Sequence, residues 1–150
     1  MLPRVSKIKM IGRREWIDFP LLDSFKIDAK IDTGAYSCTL SCKHIELIQK
    51  DNQLLLSFTL FNDKQFYTTE FDKKKIKNSF GEIEERFVIK TLIVLGRKKI
   101  RTTVSLTNRQ EMRYPVLIGR KLLRGKFIVD VKQKYTNGIK LNDYITYLLT

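Results

Sequence analysis

The chain has 150 residues, with 29 Lys and Arg against 16 Asp and Glu and a net charge of +13. That length supports one domain with a real core, and the ordinary charged and hydrophobic fractions exclude a low-complexity or disordered chain. Two cysteines, Cys38 and Cys42, exclude a disulfide framework, and no apolar run is long enough for a signal sequence or a membrane span, so a reducing, cytoplasmic setting is expected. The positive excess would draw anionic partners such as nucleic acid, an acidic surface or an acidic peptide, although it also serves solubility alone.

Residues 1–10 are basic and expected to fray. Residues 11–20 alternate weakly and read as a short strand ended by Pro20. In residues 25–32, Phe25, Ile27, Ala29 and Ile31 share one face and Lys26, Asp28, Lys30 and Asp32 the other, a half-buried strand. Residues 37–42 suggest a further strand and residues 44–49 a single helical turn. Residues 54–61 form an apolar strand, with turn chemistry at Asp51-Asn52 and Asn62-Asp63. Residues 66–71 alternate again, and the basic run 72–81 ends in turn residues. Residues 84–95 predict a long strand, 96–99 a hairpin turn, and 100–106 its returning partner. Residues 107–113 are polar and turn-like, 114–118 an apolar strand closed by Gly119, and 121–123 a short helix stopped by Gly125. Residues 127–131 read as a last core strand. Residues 142–149 predict a terminal helix, capped by Asn142 and striped by Ile145, Leu148 and Leu149. Many short strands at close spacing argue an all-β barrel or sandwich in a single domain, with its core at about 10–131 and an extension at 132–150.

Asp32-Thr33-Gly34-Ala35 places a carboxylate, a hydroxyl and a Gly at a strand end, a setting for an acid in a tight turn. Alone, the tripeptide also fits an ordinary loop in which Asp caps a turn. Two further stretches give it context. One is Lys77-Asn78-Ser79-Phe80-Gly81, with Glu85-Arg86 after it. The other is Met112-Arg113-Tyr114-Pro115-Val116-Leu117-Ile118-Gly119-Arg120-Lys121-Leu122-Leu123. In this order, and with Ile11-Gly12-Arg13-Arg14-Glu15-Trp16 and Leu106-Thr107-Asn108-Arg109, they resemble the retropepsin-like proteases labelled "ATP-dependent zinc protease", the bacterial family of the RimB-type proteins.

The resemblance implies a closed retropepsin-like β-barrel with one short helix near the C-terminus. It implies Asp32 as the catalytic acid, and Thr33, Gly34 and Ala35 as its loop. Leu117, Ile118, Gly119 and Arg120 would underlie that loop, and a flap spanning residues 75–82 would offer Lys77, Asn78, Ser79 and Gly81 to substrate. Such an enzyme, an aspartic-type endopeptidase, holds a water between two carboxylates that share one proton, one acting as base and the other as acid. This chain carries a single Asp-Thr-Gly, so that mechanism requires a homodimer with one Asp32 from each subunit. With Ala35 in place of a hydroxyl donor, activity is expected to extend beyond strong acid. The family's link with ATP-grasp ligases that add glutamates implies an acidic, glutamate-rich peptide or protein substrate. The alternative is a catalytically silent basic module that binds RNA, the ribosome or an acidic protein.

Retroviral relatives carry an acidic residue where Tyr36 stands, which leaves Asp28 and Asp130 as the candidate partners of Arg120. No metal or other cofactor is expected. Cys38, Cys42 and His44 lack a common structural zinc spacing and read as buried thiols and a surface His. No phosphate-binding Gly-rich loop with Lys is present, and no Ser/His or Cys/His triad suggests itself. Trp16 is expected in the core, and Arg109 and Arg113 in structural ion pairs.

Overall fold

A computed structural model describes residues 7–78, 80–108 and 113–150. In chain order the elements are β1 (Lys9–Ile11), β2 (Arg14–Phe19), a 3-10 turn at Pro20–Leu22, β3 (Ser24–Ile31), β4 (Cys38–Lys50), β5 (Gln53–Leu60) and β6 (Gln65–Thr68). Then follow β7 (Asp72–Lys77), β8 (Ile83–Leu95), β9 (Lys98–Thr107), β10 (Val116–Ile118), α1 (Arg120–Leu123), β11 (Phe127–Val129), β12 (Ile139–Lys140) and α2 (Leu141–Leu149). The protein is all-β, with its helices confined to the C-terminal part.

Backbone pairing explains how this chain closes a core. β2 pairs antiparallel with β3 and touches β8, β8 pairs with β9, and β9 runs parallel to β4. The short β10 lies between β3 and β4, parallel to one and antiparallel to the other. These six strands therefore return on themselves through β10, which leaves none of them as a free edge. Six of their inward residues, Ile17, Ala29, Leu40, Ile93, Val104 and Ile118, are at most 1% exposed. A second sheet orders β11, β1 and β12 beside this core.

The alternating segments fold as expected where pairing is regular. Two hairpins turn through positive φ: at Asp51 and Asn52 between β4 and β5, and at Gly96 and Arg97 between β8 and β9, where all but Arg97 are types that tolerate it.

Other expectations need correction, and bulges explain the main ones. In β3, Lys26 takes φ 51° and the β2 pairing shifts register between Ile17 and Phe19. The shift turns Phe25 outward, 57% exposed, and buries Ser24 instead. Residues 44–49 continue β4 rather than forming a helical turn, because His44 (φ 51°) forms a bulge across which pairing with β5 resumes. Met10, expected in a frayed lead-in, is buried in β1. Trp16 is half exposed and stacks on Tyr135 at 4.4 Å rather than filling the core. α2 starts at Leu141, so Asn142 is within the helix and caps nothing; Leu141 alone is buried, and Ile145, Leu148 and Leu149 face out.

Candidate active site

The inward alternation of Ile27, Ala29 and Ile31 brings β3 to its end with Asp32 as the next residue, half-buried. The Asp32 amide donates to the Ile118 carbonyl at 2.8 Å, so the end of β3 is fastened to the end of β10. The chain then turns tightly. The Ala35 amide donates to the Asp32 carbonyl at 3.1 Å, and the Gly34 amide to Asp32 Oδ1 at 3.2 Å. One carboxylate oxygen is thus held by the loop's own backbone.

The loop is also fixed from below. The first two amides of α1, which have no acceptor within their own helix, donate to loop carbonyls. Arg120 N–H reaches Ala35 and Lys121 N–H reaches Tyr36, both at 2.9 Å. Gly119 makes this approach possible, since a Cβ there would lie 2.6 Å from the Tyr36 carbonyl oxygen and nearer still to that of Ser37. The Arg120 guanidinium donates to the carbonyls of Gly34 (3.2 Å) and Thr33 (3.4 Å) and sits over the Tyr36 ring at 5.5 Å.

This corrects the expected partners of Arg120. Asp28 pairs with Arg14 and accepts from the Tyr135 hydroxyl, while Asp130 accepts from Tyr144. The Tyr135 hydroxyl is pushed above its ordinary pKa, first by its burial and then by Asp28. The Tyr144 hydrogen bond holds Asp130 below the usual carboxylate range. An aromatic face and two carbonyls replace the acid that retroviral relatives place after Ala.

The segment expected to act as a flap forms the β7–β8 hairpin. Lys77 ends β7, and the Asn78 side chain accepts from the amides of Phe80 and Glu82, both at 3.0 Å. Gly81 takes φ 81° to close the tip. Ser79 lies outside the described residues, as do Arg109 and Met112, and Arg113 is exposed. Lower on the hairpin, β7 faces the loop. A cavity of about 190 Å³ is walled by Tyr36 and Ser37 on one side and by Lys74, Lys75 and Ile76 on the other. The structure therefore brings together Asp32, Thr33, Gly34 and Ala35 with Leu117, Ile118, Gly119 and Arg120, and sets the body of the flap beside them. The tip residues Lys77, Asn78 and Gly81 line none of that cavity.

Two residues named in the sequence without a role of their own take one here. Tyr36 seats Arg120, and Lys121 lines the flap cavity as well as two neighbouring concavities. The available signal was position, since Tyr36 follows Ala35 directly and Lys121 follows Arg120.

Among the described residues no group of three or more His, Cys, Asp or Glu could hold a metal ion. Cys38 and Cys42 are free and buried, and burial pushes their thiols up to about 11 and about 12. His44 is exposed on its bulge. No described helix is long and apolar enough to cross a membrane.

Known proteins align with this architecture. A solved Legionella pneumophila protein of unknown function superposes with a TM-score of 0.67 at 29% identity, covering 85% of this chain and 97% of that one. Proteins named probable alpha-L-glutamate ligase are also similar. The Shewanella halifaxensis protein is 32% identical over 136 residues, or 86% of this chain, and the Desulfotalea psychrophila protein is 33% identical over 129. The chain spans only 30% and 28% of the lengths of those two relatives. The family described as RimB-like, retropepsin-like aspartic endopeptidase RimB, matches residues 10–140. With β10 passed between β3 and β4 and the Asp-Thr-Gly loop fixed on Gly119 and Arg120, this chain belongs to the RimB-like family of retropepsin-like aspartic endopeptidases.

Proposed function

We propose that the protein is an aspartic endopeptidase that works as a homodimer, with one Asp32 from each subunit, on acidic, glutamate-rich peptides. The observation that carries this reading is the Asp32 loop. It presents a single half-buried carboxylate at a strand end, with one oxygen accepting from the Gly34 amide and the Asp32 backbone fastened to Ile118 and Ala35. Half of a dyad is what one such loop supplies.

Across a two-fold axis the two Asp32 carboxylates would share one proton, because both cannot ionise at close range. The ionised one takes a proton from the attacking water. The protonated one donates to the scissile carbonyl, and the tetrahedral intermediate then collapses with proton transfer to the leaving amine. Thr33 and Gly34 are exposed, and the Thr33 hydroxyl makes no hydrogen bond among the described residues. It is free to bond to the partner's loop. The tip of the flap carries Phe80, 82% exposed, and Ile83, 72% exposed, apolar groups suited to closing over a peptide.

Charge supports the substrate class. Lys74 and Lys75 on the flap and Arg120, Lys121 and Arg124 at α1 surround the Tyr36 side of the loop, and none of them pairs with a carboxylate among the described residues. Relatives named as glutamate ligases share this domain within longer chains, which supports a functional link with an ATP-grasp ligase that makes the acidic substrate.

The test is digestion of glutamate-rich and neutral peptides, read by mass spectrometry, with wild type, Asp32→Asn and Asp32→Ala. Cleavage of the glutamate-rich peptide is expected, with a loss of at least about 10²-fold in both variants. Equal cleavage by Asp32→Asn would remove Asp32 from the mechanism. Binding of the peptide without cleavage by any form would leave the basic binding module as the function.

A further inference from the structure

A large concavity lies away from Asp32. It has a volume of about 630 Å³ and lies where the 3-10 turn, β8, β9 and α1 meet. None of its walls comes from residues 32–35. Its size falls within the range of small-ligand sites, about 300–1,000 Å³.

Its charge is one-sided. Lys90, Arg101, Lys121 and Lys126 line it, against the single carboxylate of Glu70. None of the four cations has an ion-pair partner among the described residues. Repulsion is felt nearby, where the Lys98 ammonium is held below its ordinary pKa, first by desolvation and then by Lys9, Lys126 and Lys7. Three surface lysines elsewhere do find carboxylates, in Lys43–Asp63, Lys64–Asp23 and Lys73–Glu85. Here four cations converge on one cavity and stay unpaired.

The rest of the wall suits a compact ligand. Thr102 and Thr103 present half-buried side chains, and Thr91 is buried with a hydroxyl that has no hydrogen-bond partner among the described residues. Leaving such a group unpaired costs about 1–3 kcal/mol. Leu21, Ile100 and Leu122 supply apolar sides. Lys and Arg around hydroxyls, on a partly apolar cavity, match a small oxyanion of several charges.

We propose that this cavity binds a small, multiply charged oxyanion, held by Lys90, Arg101, Lys121 and Lys126. The site adjoins the cavity between β7 and the Tyr36 loop, sharing Lys121 and Thr103 with it, but includes none of residues 32–35 and does not depend on Asp32 being catalytic. Phosphate oxygens and carboxylate oxygens share the required chemistry, so both are tested.

Isothermal titration calorimetry on the full chain would use tripolyphosphate in one arm and citrate in the other. Saturable binding at one site per chain is expected in at least one arm, and the arm that binds identifies the source of the charge. Arg101→Gln with Lys126→Gln should weaken it by at least about tenfold. Lys74→Gln with Lys75→Gln, which touches only the flap cavity, should leave it unchanged. Thermal melts of both double variants would establish that they fold, and Lys90→Gln serves as the alternative if the first pair does not. No saturable binding in either arm, or equal weakening by the two double variants, would overturn the proposal, because charge spread over the surface would then account for any association.

Discussion

Gly119 sets the tightest constraint in the molecule that bears on the candidate site. Its neighbours are backbone carbonyls of Tyr36 and Ser37, which cannot rotate away as a side chain would. Gly119→Ala is therefore expected to cost about 3 kcal/mol or more, in excess of ordinary overpacking, because accommodating the methyl must break the amide bonds from Arg120 and Lys121 to the loop. Urea unfolding measures this, and a loss below about 1 kcal/mol would show that the loop adapts. At this scale the sequence was informative where a residue's neighbours in space are also its neighbours in a motif. Asp32 and Gly119 were legible in that way. Glu15 was not. It is buried in a strand that alternates only weakly, and it accepts from the Gly12 amide and from the amides of Thr136 and Asn137. Those last partners lie more than a hundred residues away, and nothing in the local pattern around Glu15 announces them.

At the scale of elements, the β7–β8 hairpin is held at its tip by one side chain. Asn78 accepts two backbone amides that no strand pairing would otherwise satisfy. Asn78→Ala should leave global stability within about 0.5 kcal/mol, as expected for an exposed turn, while amide exchange quickens at Phe80 and Glu82. Unchanged exchange at those amides would contradict the assigned role. Strands β5 and β8 were readable from apolar content and flanking turn residues, and in the fold they bury alternate positions near their ends, Leu56, Phe58 and Leu60 in β5 and Thr91, Ile93 and Leu95 in β8. What alternation hides is the bulge, because one left-handed residue inverts the faces on its far side without altering composition. Lys26 and His44 are such residues, and neither is a Gly or Asn that would signal positive φ in advance. β12 was missed for a different reason: two residues, Ile139 and Lys140, are too few to show a period.

For the whole molecule, the closed path of six strands buries both thiols, and this links stability to pH. Burial raises Cys42 from 9.0 to about 12, so the folded state keeps its proton where the unfolded chain would release it. The sign follows: this contribution is fully present below pH 9 and is lost as pH rises toward 12. Cys42→Ala should flatten the fall of stability across that window by up to about 1.4 kcal/mol per pH unit, read from urea midpoints. Parallel curves for the two proteins would show that the thiol is not desolvated as described.

The same whole-molecule view returns to Asp32. One chain carries one Asp-Thr-Gly loop, so the proposed chemistry is a property of two chains together. Mixing wild type with rising fractions of Asp32→Asn, under conditions that allow subunits to exchange, tests this directly by the rate of peptide cleavage. If each active site needs an Asp32 from both subunits, the rate falls as the square of the wild-type fraction. A rate that falls in simple proportion to that fraction would mean that a single chain suffices, and would contradict the shared dyad.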